Sequence, residues 1–143
     1  MKAEPVSQIT ESNLREFSKI SSDYMVQKNI RAYASLLHED FELIDNVSPY
    51  SPQILDKFTY IKRSANLSKV ASEIKNDYKI TSINISSDGQ SAYLTVEVVN
   101  QFLIRGNWKK SYALSKYHVV ISNGSLKLLT VETIENRDIS DNS

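Results

Sequence analysis

The sequence holds no cysteine, three glycines, three prolines, one tryptophan and two histidines in 143 residues. Without cysteine there is no disulfide framework, no thiolate zinc site and no cysteine nucleophile. His38 and His118 lie far apart, and no paired-carboxylate pattern accompanies them, so spacing defines no metal site. Net charge is also missing. Seventeen Lys and Arg balance seventeen Asp and Glu, which excludes a nucleic-acid binder working through bulk positive charge. No apolar run approaches the ~18–20 residues of a membrane span. Gly-rich phosphate loops, a Gly-x-Ser-x-Gly elbow and a His-Glu-x-x-His pattern are absent, which removes nucleotide hydrolysis, serine-hydrolase chemistry and zincin chemistry. The expectation is a chain without metal, organic cofactor, nucleic-acid partner or membrane. The polar stretch Met1–Gln8 fits a mature secreted or periplasmic start and a cytoplasmic one equally well. Sequons at Asn46, Asn66, Asn84 and Asn123 are what chance supplies in a chain rich in Ser and Asn.

What is present is ordinary globular material, 41% hydrophobic and 24% charged. A domain of this length buries roughly 68–70% of the surface its unfolded chain exposes. Leu14, Phe17, Ile20, Tyr24 and Met25 share one face of a helix starting near Thr10 or Ser12. A second helix follows, with Asn29 as N-cap and Ile30, Tyr33, Ala34 and Leu37 as its apolar stripe. The period then becomes two. Phe41, Leu43, Asp45 and Val47 take one face of a short strand, and Asn46–Pro52 is a loop that Pro49 and Pro52 keep out of the strand. Ile54, Phe58, Ile61 and Ala65 predict a third helix running on through Val70. Its Lys57, Lys62, Arg63 and Lys69 form no single stripe and read as a solvated face.

From about Glu73 the pattern is strand. Asp88-Gly89, Arg105-Gly106-Asn107 and Asn123-Gly124 mark the turns, the first and last as type I′ signals. Tyr78 and Ile80 have one parity and Ile83 and Ile85 the other, so a bulge is expected near Thr81-Ser82. The expectation is an α+β domain: three helices covering a strongly curved antiparallel sheet, spanning residues 10–135 between a flexible 1–9 and a polar tail 136–143. Neutrality proves to be a sum of acidic ends and a basic middle, which permits a mildly positive sheet compatible with an anionic ligand or an acidic partner.

Tyr33–Asp45, an apolar helix terminus followed by acids and a short strand ending in an acid, resembles a segment of the nuclear transport factor 2-like superfamily. Tyr117–Leu126 is similar to the final hairpin of many members. The superfamily includes ketosteroid isomerase, scytalone dehydratase and SnoaL-type cyclases, and hosts both enzymes and non-enzymes. The resemblance implies a cone-shaped fold with a pocket, and the expectation is a small organic ligand in it and a homodimer through the outer sheet face. It places Asp45 where the isomerase branch carries its base, the first-helix tyrosine near Ser21 with Tyr24 as substitute, and Lys116 where that branch has an acid. The lysine argues against ketosteroid isomerisation. The candidate catalytic residues are therefore Asp45, Tyr24 and His118, and the candidate ligand-binding residues Phe41, Leu43, Tyr112 and Lys116. Four of these have a plainer alternative: Asp45 as the start of a turn, Tyr24 as core, Lys116 as a solvated strand residue and His118 as an outer-face residue. A rival function is an interaction module, dimerising through an outer sheet face that carries Tyr93, Val99 and Leu103.

Overall fold

The computed structural model describes residues 5–47 and 53–140. Its order is α1 (Glu11–Val26), α2 (Ile30–Ser35), β1 (Leu37–Asp45), β2 (Gln53–Asp56), α3 (Lys57–Val70), β3 (Glu73–Ile85), β4 (Ser91–Ile104), β5 (Asn107–Ser122) and β6 (Ser125–Asp138). Thr10 caps α1 in a capping box: its hydroxyl accepts from Asn13 N at 3.1 Å while the Asn13 side chain accepts from Thr10 N at 2.8 Å. Asn29 caps α2 as expected, accepting from Ala32 N.

The six strands form one sheet in the order β2-β1-β6-β5-β4-β3. Every pairing is antiparallel except β1 with β6, which is parallel, because the chain crosses from β1 through α3 and the meander before β6 returns beside it. The expected bulge is there, as a register shift between Ile80 and Ser82. Two more lie between β5 and β6, at Leu114/Ser115 and His118/Val119. Such shifts bend strands and raise their twist.

The turns divide. Arg105-Gly106 and Asn123-Gly124 have positive φ at both positions, as two-residue type I′ turns require. At Asp88-Gly89 only the glycine is left-handed, and Gly89 N donates to Ser86 O, so this turn spans Ser86–Gly89 and is not type I′.

Three boundaries differ from the sequence reading. Leu37 and His38 open β1 and do not end a helix, since Leu37 pairs with Leu128 across the parallel junction. Ile54 lies in β2, opposite Ile44, and Asp56 caps α3 by accepting from Thr59 N at 2.8 Å. Ile54 and Phe58, taken as one helical stripe, are 60% and 76% exposed. The proline-loop reading, from Ser48 through Pro52, lies outside the described residues.

Both ends of the described chain bond to the sheet. Val6 N donates to Gly124 O and Ile9 N to Gly89 O, so Pro5–Ile9 is a strap across two hairpin turns, with Ile9 buried. At the other end Ile139 N donates to Lys110 O. The core lies between helices and sheet: Leu14, Phe17 and Tyr33 meet Phe41, Leu94, Val96, Val98, Val119 and Leu128. Among the described residues no helix is long and apolar enough to cross a membrane.

Candidate functional site

α3 packs on β1, β2 and α2, while α1 packs on β3. Between them is a cavity of about 250 Å³. α3 contributes Tyr60, Arg63, Ser64, Leu67 and Ser68, an i, i+3, i+4, i+7, i+8 stripe that makes one helix face. The facing wall is Leu43 and Leu55, paired across β1 and β2, with Ile74 and Phe102, paired across β3 and β4, and Asn100. Met25, Ile30 and Tyr33 close the corner between α1 and α2.

The polar atoms are few and organised. Tyr33 and Tyr60 hydroxyls hydrogen-bond at 2.8 Å, and the Tyr60 ring rests 5.2 Å from that of Phe41. Burial raises the Tyr33 hydroxyl well above its ordinary pKa, with smaller contributions from Tyr60 and Tyr117. Tyr60 and Tyr117 keep partly exposed rings but enclosed hydroxyls, and burial raises both. Asn76 Nδ2 donates to Asn100 Oδ1 at 2.6 Å, and Ser22 Oγ bonds Asn76 Oδ1 at 2.6 Å. Beyond Met25 and Tyr33 this network borders a second space of about 40 Å³, lined also by Ser18, Ser21 and Tyr117, room for a water or two. Met25 and Tyr33 thus form the partition between the two spaces.

Of the residues chosen from sequence, Leu43 lines the larger cavity and Phe41, 1% exposed, backs it through Tyr60. Asp45 follows Leu43 on the same strand face but is not among the lining residues. Its Oδ1 accepts from Val47 N at 3.0 Å, the geometry of an Asx turn. Tyr24 packs against the core and lines neither space, whereas its neighbours Ser21 and Met25 do.

The pocket placement of Tyr112, Lys116 and His118 is corrected. On β5 the inward parity is Ser115, Tyr117 and Val119, opposite Val96, Leu94 and Ala92 of β4. The other parity faces away from the helices. There His118 stacks on Tyr93 with ring centroids 4.3 Å apart, and Lys116 Nζ lies 4.9 Å from the same ring. Burial first and the Lys116 charge second lower the His118 pKa. Tyr112 lies under Arg137 at 4.7 Å.

The residues missed were Tyr33, Tyr60, Arg63 and Asn100 as cavity lining. A signal existed for one of them, Asn100. Asn76 and Asn100 interrupt the otherwise apolar inward parities of β3 and β4, and they stand opposite each other. Among the described residues no three metal-ligating side chains converge.

No protein-family description matches the sequence, and no curated protein sequence does. Solved structures do match. A conserved protein from Planctomyces limnophilus superposes with a TM-score of 0.76 at 12% identity, covering 88% of this chain and 94% of that one. A putative scytalone dehydratase from Novosphingobium aromaticivorans gives 0.69 at 16%, covering 91% and 87%. A protein of unknown function from Silicibacter pomeroyi, described as NTF-2 like, gives 0.62 at 14%, covering 91% and 99%. Identities this low speak for architecture alone. Helices, curved open sheet and superposition over 88–91% of the chain together show that this chain has the nuclear transport factor 2-like cone fold.

Proposed function

We propose that the protein binds a small, largely apolar organic molecule in the cavity under α3. The observation that carries this reading is the cavity itself: about 250 Å³, walled by Met25, Ile30, Leu43, Leu55, Leu67, Ile74 and Phe102, with a few convergent polar groups. It is slightly smaller than the usual range of ligand sites, roughly 300–1,000 Å³. An apolar cavity of about 150 Å³ already takes benzene, so a ring with a short chain fits here.

Binding is favoured over proton transfer. Among the described lining residues there is no carboxylate and no imidazole, and the hydroxyl and amide groups present donate hydrogen bonds at neutral pH. Asp45 lies off this lining, with its Oδ1 bonded to Val47 N. One structural neighbour is named a putative scytalone dehydratase, yet a comparable elimination here would need a base that this lining does not offer.

The test is a thermal-shift panel of small aromatic and alicyclic compounds on the parent and on Leu67→Trp. A ligand at a hundred times its Kd stabilises by about 2.7 kcal/mol. The parent should respond to members of the panel, and the indole of Leu67→Trp should fill the cavity and abolish the response. Equal responses in both proteins would place binding elsewhere.

A second reading is supported by the opposite face. Tyr93 and Trp108 are 43% and 38% exposed there, beside Val99 and Leu103, so the face suits self-association into a homodimer. Sedimentation of the parent and Tyr93→Glu tests it: a dimer converted to monomer supports the face, and a monomeric parent removes it.

A further inference from the structure

We infer that the ligand of this cavity is an organic acid, an apolar body carrying one carboxylate, and that Arg63 selects it. This rests on the pocket reading above and adds the charge of the ligand. Arg63 is the one charged side chain among the described lining residues, and none of those residues is acidic. Its guanidinium makes no ion pair within 4.0 Å among the described residues, whereas Arg15 on α1 pairs with Glu11 at 2.8 Å. Arg63 is exposed while belonging to the cavity face of α3, which places a cation at the mouth of an apolar space.

The other polar groups favour the same chemistry. The Tyr33–Tyr60 pair shares one hydrogen internally and leaves a second available to donate. Asn100 spends its Oδ1 on Asn76, and its Nδ2 donates to none of the described residues. The lining therefore has donors to offer a carboxylate or carbonyl and no acidic side chain to repel one. A second cation reinforces the rim: Lys28 Nζ donates to Ala71 O at 2.7 Å and to Ser68 O at 3.3 Å, and Ser68 lines the cavity. The last carbonyls of α3 offset part of the Lys28 charge. Arg63 has no such neighbour among the described residues, and a planar guanidinium matches a carboxylate in bidentate fashion. A neutral ligand of the same shape would gain the apolar burial and leave Arg63 in water.

The test compares 4-phenylbutyrate with 4-phenylbutanamide, equal in body and different in charge, by titration calorimetry. The proteins are the parent, Arg63→Gln and Leu67→Trp, each checked for native far-UV circular dichroism. The parent should bind the acid about two- to fivefold more tightly than the amide, the range of a solvent-exposed ion pair. That preference should shrink at high salt. Arg63→Gln should lose the preference. If both probes bind the parent equally, or the preference survives in Arg63→Gln, selection by Arg63 is overturned. In that case amide binding that disappears in Leu67→Trp leaves the pocket itself standing. Absence of binding by both probes overturns the pocket reading and this inference together.

Discussion

Raising the pH through 10 sets the unfolded chain against Tyr33, Tyr60 and Tyr117, whose enclosed hydroxyls the fold keeps protonated. A tyrosine in the unfolded chain ionises near pH 10. In the fold, burial raises all three above that value. Stability from this source is thus complete below about pH 10 and is lost as pH rises through the window between the unfolded and folded values. At about pH 11 each tyrosine that stays protonated in the fold forfeits at most about 1.4 kcal/mol, so the three together forfeit at most about 4 kcal/mol. Domains have roughly 5–15 kcal/mol to lose, so the urea midpoint should fall steeply over this one unit. Far-UV circular dichroism in urea at about pH 9, 10 and 11 measures the fall, and absorbance at 295 nm follows phenolate formation. The three tyrosines with enclosed hydroxyls should ionise together with unfolding. Tyr117→Phe should soften the pH dependence by about a third. Complete ionisation of all eight tyrosines while the dichroism remains native would refute the reasoning.

Two glycine substitutions separate backbone conformation from packing. Gly106, at φ +78°, has open space where a Cβ would stand, so Gly106→Ala should cost only the left-handed penalty of about 1–2 kcal/mol. Gly124, at φ +77°, would set its Cβ 3.0 Å from Pro5 Cβ, so Gly124→Ala should cost measurably more in urea unfolding, and equal costs would deny the strap its contact. Thr10→Ala removes the α1 cap and should lower stability by about 1 kcal/mol, seen as a shift in denaturant midpoint at constant slope. Asp45→Asn keeps the acceptor of the Asx turn and should be nearly neutral, while Asp45→Ala should cost about 0.5–1.5 kcal/mol. Neither should alter ligand-induced stabilisation, and a loss of that response in Asp45→Asn would return Asp45 to the site.

The parts of the fold legible in the sequence were those decided locally. Gly106 and Gly124 announce turns because few other residues accept positive φ, and Thr10 and Asn29 announce helix starts because their side chains can satisfy the first free N–H groups. β2 was hidden because Ile54, Phe58 and Ile61 imitate a helical period. In the fold Ile54 and Phe58 are largely exposed, and the inner stripe runs through Tyr60, Ser64 and Leu67. The start of β1 was hidden for another reason: Leu37 pairs in parallel with Leu128, a partner no local pattern names. The site suffered most from parity. Tyr112, Lys116 and His118 share a face with one another, as alternation requires, but alternation does not say which face meets the helices. Arg63 looked like part of a solvated helix surface until Tyr60, Ser64 and Leu67 were seen beside it on the cavity side.

The strap has a consequence for how the chain matures. Val6 and Ile9 leave the ribosome early, yet their acceptors, Gly124 O and Gly89 O, belong to hairpins made much later. Until the last hairpin emerges, Ile9 has no finished place to bury itself, and a nascent chain carries an open seam at one end of its sheet. Closing that seam joins distant parts of the chain, a slow kind of contact to form. The same seam gives the finished domain a stitch that draws the turns at Gly89 and Gly124 toward a common thread.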